Sequence, residues 1–357
     1  MSLKTTLISL FILIAGIQAF SSETASKDKN CEYNLSSDIN DRMRNESDDL
    51  IDDMPEGYQD KIADAIYHSL RGEGKELMQI REARDKSFME INGVSYEDIN
   101  TNGNISAKIR LYEKEKSDKS NKPLMIFLHG GGWTLGGIES GMDFCKSIAA
   151  SGNVRVMAVD WTDAPEVSPS AMVSECKDAI EYIIKNASTW GCPSGGITLA
   201  GEDAGANLIL SVIAKLEDNA NAGLAKISSL VFYYPLLSPN HDFDSQYYKK
   251  YGRGYGLDKR LLEAFIDSYN FKNDAGKIRW WNKTDADGWN PNMLIISAGK
   301  DIVTGEAEEF VKTIRSNGID AKSVVYPEAL HFFISQKGQP TAFNMAVKMT
   351  LDFITAN

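Results

Sequence analysis

A chain of 357 residues, 43% hydrophobic and 25% charged, holds enough apolar material for one large α/β domain or two smaller ones. Its net charge of −12 and the lack of any Lys/Arg block exclude a nucleic-acid partner, which requires a concentrated basic surface.

Residues 1–21 read as a cleaved signal peptide. Lys4 precedes the apolar stretch Leu7 to Ile17, and Ala19-Phe20-Ser21 places small residues where a signal peptidase cuts. A membrane anchor needs about 20 apolar residues, so no stable anchor is expected and the mature chain should be secreted or periplasmic. Export permits disulfides between Cys31, Cys145, Cys176 and Cys192, but the helical stretch carrying Cys176 puts Cys192 out of reach, and buried free thiols are expected for the last three. Sequons at Asn34, Asn45, Asn104, Asn186 and Asn282 matter only in a eukaryotic secretory pathway.

Residues 22–50 are polar and acidic without a sustained apolar period, which predicts a loose lead-in. Helical spacing follows from Asp60 to Leu70 and from Glu76 to Ser87. Strand patterns appear at Ser106–Tyr112, Leu124–His129, Val154–Trp161, Gly196–Ala200, Leu230–Tyr234, Met293–Ala298 and Ala321–Tyr326. Helical stretches separate them at about 141–151, 170–186, 204–217, 304–317 and 341–355. Most of the strands are continuous apolar runs, as expected for strands covered on both faces, so the alternation predicts a mostly parallel sheet flanked by helices. The long connection after Tyr234 carries Tyr247, Tyr248, Tyr251, Tyr255, a helical run Lys259–Tyr269, Trp280, Trp281 and Trp289. An insertion with its own helix suits an active-site cover. The expected organisation is N-terminal lead-in and cap helices at 22–95, then a core at 96–357 with a cap insertion at about 238–290.

Two glycine motifs carry the chemistry. His129-Gly130-Gly131-Gly132-Trp133 follows an apolar strand, and Gly201-Glu202-Asp203-Ala204-Gly205 has the form of a nucleophile elbow with aspartate in the serine position. Asp301 and His331 follow in the order acid, then histidine. His68 and His241 read as ordinary exposed residues, and the aromatic residues of the long connection as packing.

Together with Val159-Asp160-Trp161 and Ala164-Pro165-Glu166, these motifs resemble the hormone-sensitive-lipase-like α/β-hydrolases, a group of carboxylesterases and lipases. The resemblance implies an α/β-hydrolase fold with a helical cap, and a catalytic set of Asp203, Asp301 and His331. It implies an oxyanion hole from the amides of Gly130, Gly131, Gly132 and Ala204, small acyl esters or other small apolar ligands as partners, and neither cofactor nor metal. A homodimer is left open. Because a carboxylate attacking an ester carbonyl would form a high-energy mixed anhydride, ester hydrolysis is expected to be impaired. Two alternatives stand beside this reading: a binding protein that keeps the pocket, and a hydrolase using Asp203 as nucleophile on epoxides or haloalkanes, with Tyr247, Tyr248, Tyr251, Tyr255, Trp280 and Trp281 as candidates for acid or halide-binding groups.

Overall fold

The uninterrupted apolar runs form the centre of an eight-stranded sheet. In chain order the strands are β1 (Val94–Asp98), β2 (Lys108–Lys114), β3 (Leu124–Leu128), β4 (Arg155–Asp160), β5 (Ile197–Glu202), β6 (Ile227–Tyr233), β7 (Asn292–Lys300) and β8 (Ala321–Leu330). Their spatial order is β1-β2-β4-β3-β5-β6-β7-β8. All neighbours from β4 to β8 run parallel, and β2 is antiparallel to both β1 and β4. Every residue of β3 and β5 is buried, which is why these strands read as continuous rather than alternating. The computed structural model describes residues 35–103, 105–117, 121–193, 195–218, 223–237, 244–272 and 289–356. The leader, Cys31, His241, Trp280, Trp281 and three sequons (Asn34, Asn104, Asn282) lie outside the described residues.

The helices are α1 (Ser37–Asp53), α2 (Tyr58–Leu70), α3 (Lys75–Arg84), α4 (Met142–Ala150), α5 (Pro169–Asn186), α6 (Ala204–Asp218), α7 (Gln246–Tyr251), α8 (Lys259–Asn270), α9 (Thr304–Ser316) and α10 (Pro340–Ala356). α5 starts as its sequence dictates: Pro169 occupies the first turn and the Ser168 hydroxyl accepts the Ala171 amide. Cys145, Cys176 and Cys192 are buried free thiols.

Besides the short helix α7, in a stretch read only as aromatic-rich, two elements depart from expectation. Residues 37–53, read as part of a loose lead-in, form α1. Only Ile39, Met43 and Ser47 are buried, one per turn, and this stripe is too narrow to register as a hydrophobic period. Tertiary contacts hold the helix instead: the Ser47 hydroxyl donates to the Glu328 carbonyl at 2.6 Å, Arg44 pairs with Glu328 at 2.8 Å, and Glu46 accepts the Thr341 amide at 3.0 Å. α1 therefore packs against β8 and α10, at the flank of the sheet. The second departure is β1, whose first residue alone is buried, so it offers no apolar run to detect.

α2 packs on α8, bringing a helix of the N-terminal region against a helix of the long connection. Phe265 of α8 lies so close to the Gly132 backbone that a Cβ there would sit 2.2 Å from its ring. Tyr269 of α8 stacks on Trp133 with centroids 4.5 Å apart. These contacts seat helices directly over the glycine loop that follows β3.

Met43 is fully buried in the α1 contact, so Met43→Ala should lower unfolding stability by about 2–4 kcal/mol in urea titrations, while Asp49→Ala on the exposed face should change it by less than about 0.5 kcal/mol. Equal midpoints for the two variants would show that α1 is not docked.

Candidate active site

Strand register brings the motif residues together. In the parallel sheet β3 abuts β5, with Leu128 beside Gly201, so the His129–Gly132 loop and the turn after β5 leave the same edge side by side. Glu202 pairs with Tyr233 on β6, and Lys300 pairs with Leu330 across β7 and β8. Asp203, Tyr234, Asp301 and His331 are each the next residue beyond one of those four. All therefore emerge at the carboxyl edge, where open α/β sheets place their sites.

The turn at residue 203 is forced by close packing. A Cβ on Gly205 would lie 2.3 Å from the Leu128 carbonyl oxygen, so only glycine lets α6 start this close to β3. Asp203 itself takes a φ of +49°, in the left-handed region that costs a non-glycine residue energy. Trp133, Tyr234 and Phe332 share this region, at φ +59°, +33° and +66°, so the backbone strain gathers around one centre.

The glycine loop points its amides at the Asp203 carboxylate. Oδ2 accepts from Gly131 N at 2.8 Å and from Gly132 N at 2.7 Å. Gly130 does not join them: its N–H goes to Glu202 Oε2 at 3.2 Å, so this residue, expected as an oxyanion donor, is committed elsewhere. Ala204 follows Asp203 as the first residue of α6, and its amide lies at the positive end of that helix.

His331 stands between two carboxylates. Its Nδ1 donates to Asp301 Oδ2 at 2.6 Å, and Asp301 Oδ1 accepts the Val303 amide at 3.3 Å. Its Nε2 lies 3.3 Å from Asp203 Oδ1, off the line of a good hydrogen bond, so that contact is an ion pair. Burial alone would favour neutral imidazole, but the charges of Asp301 and Asp203 outweigh it and push the pKa up to about 10. For Asp203 burial acts upward, yet His331 and the two glycine amides hold its pKa below the usual carboxylate value. At neutral pH the ground state is therefore an imidazolium between two carboxylates. A histidine in this form cannot take a proton.

From the sequence alone, no site role is assigned to Glu202, Tyr234, Ser335 or Arg81. Glu202 Oε1 accepts from the Tyr234 hydroxyl at 2.8 Å and from Ser335, joining the glycine loop, the end of β6 and the loop after His331 through one buried carboxyl. Burial raises its pKa; the Ser335 and Tyr234 donors oppose that, and the Asp203 charge reinforces it. Arg81 of α3 donates to the Thr134 carbonyl at 2.7 Å, pairs with Glu166 at 2.7 Å and with Asp163 at 3.4 Å, and so braces the loop from outside. Burial pushes the Asp163 carboxyl up to about 7, against the pull of Arg81. Glu202 was legible as a charged residue in a position bound to be buried at a strand end; nothing in the sequence around Arg81 marks it. His68 lies at the surface beside Glu76.

A pocket of about 390 Å³ opens along Gly130, Gly131 and Glu202, with Leu50, Phe88 and Phe332 among its walls. Tyr247, Tyr248, Tyr251 and Tyr255 are not among its described lining residues. Tyr248 is buried, Tyr251 and Tyr255 pack edge to face, and the Tyr247 hydroxyl donates to Glu308 at 2.8 Å.

Residues 125–335 match a family described as alpha/beta hydrolase fold. The chain is 26% identical over 312 residues to R526 of Acanthamoeba polyphaga mimivirus, named an alpha/beta hydrolase, covering 85% of this chain and 86% of that one. It is 28% identical over 203 residues to the carboxylic ester hydrolase LipN of Mycobacterium tuberculosis, covering 55% of this chain and 53% of LipN. Among solved structures, a thermostable esterase from Pseudomonas putida superposes with a TM-score of 0.69 at 17% identity, over 91% of this chain and 98% of that one, a likeness of fold.

The His331 proton makes the site's stability depend on pH in a definite direction. Its folded-state pKa lies above the unfolded value of about 6.5, so its stabilisation is full below that value and is lost as pH rises toward about 10. Nitrogen-15 NMR should find this imidazole doubly protonated through about pH 8, and Asp203→Asn should lower its midpoint by about one unit or more. An imidazole titrating near 6.5 in the unmodified protein would show that the ion pair does not form.

Proposed function

Because the chain belongs to the α/β-hydrolase fold family, within its hormone-sensitive-lipase-like, carboxylesterase-type group, we propose that it is an exported hydrolase of esterase lineage, fitted to small acyl esters, in which Asp203 strongly impairs ester hydrolysis. One observation carries the reading: Asp203 Oδ2 accepts the Gly131 and Gly132 amides. In acyl transfer such paired amides stabilise the oxyanion of the tetrahedral intermediate. Here a fixed negative oxygen holds them in the ground state, so an incoming carbonyl would have to displace it.

The histidine supports the same conclusion. Ester hydrolysis through a serine needs His331 to accept the hydroxyl proton and return it to the leaving group. An imidazolium paired on both sides has no such capacity. Asp203 needs no base to attack, but its product with an ester would be an anhydride, and both of its oxygens are already engaged. That engagement also weighs against attack on the saturated carbon of an epoxide or haloalkane. Export rests on residues 1–21 of the sequence. The open pocket beside the glycines favours a second reading, a ligand-binding role that needs no turnover.

Short p-nitrophenyl esters separate these cases. Asp203→Ser frees the amides and removes one carboxylate from His331, and it should exceed the unmodified protein in kcat/KM by about 10²-fold or more. The unmodified protein should match Asp203→Ala. Strong turnover that survives Asp203→Ala would overturn the reading.

A further inference from the structure

The pocket beside the glycine loop has an uneven charge distribution. Its buried end is formed by Gly130, Glu202 and Phe332, and Leu50, Met54 and Phe88 add half-buried apolar surface above. At the mouth stand three cations, the half-buried Arg84 and the exposed Lys86 and Lys337. Arg84 lies 5.4 Å from the centroid of the Phe332 ring. Among the described residues none of the three forms an ion pair with a carboxylate, although Asp53 lines the same pocket. The chain as a whole carries 50 acidic against 38 basic residues, so a mouth with three unpaired cations and one acid departs from the surface average. Elsewhere Arg81, Arg110, Arg155 and Arg260 pair with carboxylates, while Arg42 and Arg315 bond to backbone carbonyls.

From this arrangement we infer that the pocket takes an amphiphilic carboxylate: a single short apolar chain, of about eight carbons or fewer, with an ionised acid group at the mouth. This rests on reading the cleft as the binding site of an esterase-lineage protein, and it adds the ligand's charge and polarity. The volume is at the lower end of small-molecule sites, enough for a single short acyl chain. The apolar wall removes that chain from water, and the cations meet the carboxylate where it stays partly hydrated, which avoids the cost of burying it. Arg84, held over an aromatic face, is the best placed to make a two-pronged contact with it.

Isothermal titration of the unmodified protein with octanoate and with 1-octanol, at mildly alkaline pH, tests the inference without requiring turnover. Octanoate should bind about tenfold more tightly than octanol, and about 0.5 M salt should remove most of that advantage. The triple variant Arg84→Gln/Lys86→Gln/Lys337→Gln lies outside the Asp203, Asp301 and His331 set. It should bind octanol as before and lose the preference for octanoate. Octanol binding serves as the measure that the pocket is intact. Equal affinity for the two ligands, or a triple variant that keeps the octanoate advantage, would overturn the inference. So would a lack of binding by either ligand to the folded protein. These outcomes are independent of the Asp203→Ser esterase measurement: an active Asp203→Ser variant with no anion preference leaves the lineage reading standing and removes only this one.

Discussion

The contact between the Asp203 carboxylate and the amides of Gly131 and Gly132 organises the centre of this protein. It places a full negative charge, not a neutral hydroxyl, where a glycine loop and the positive end of α6 converge. Both are built to favour negative charge, so the carboxylate is stabilised there despite its burial. His331 then has a second anion in reach beside Asp301, and it answers by holding its proton. One carboxylate thus both raises the pKa of the neighbouring imidazole and occupies the amides of the glycine loop.

The surrounding structure maintains the geometry such a site needs. Glu202 links the glycine loop, Tyr234 and Ser335 from inside, and Arg81 holds Thr134 and Glu166 from outside. Phe265 and Tyr269 press on Gly132 and Trp133 from above. Left-handed conformations at Trp133, Asp203, Tyr234 and Phe332 are each costly, and they persist because these contacts over-determine them. The fold thus spends stability on holding the glycine loop, the turn at Asp203 and the loop after β8 together around one carboxylate.

Much of the sheet was legible from the chain. The runs at Leu124–Leu128 and Ile197–Ala200 are buried at every position and apolar at all but Thr198 because helices cover both faces, and a continuous run survives any shift of register in the reading. The elements that escaped are those whose stability is borrowed. α1 buries one residue per turn and is held by hydrogen bonds to Glu328 and Thr341, residues nearly three hundred positions away. β1 contributes backbone pairing to β2 with almost no burial.

The same division runs through the site. Glycine spacing, the order of Asp203, Asp301 and His331, and the identity of residue 203 are local facts, and they determined the fold family and the presence of a carboxylate at the turn after β5, since those depend on residue type and on turns of a few residues. Which amides meet Asp203, the commitment of Gly130 to Glu202, the bracing by Arg81 and the cations at the pocket mouth were decided only by tertiary structure. Hydrogen bonds and ion pairs have ranges of a few ångströms, and only strand pairing across a parallel sheet brings residues so far apart in the chain within that range.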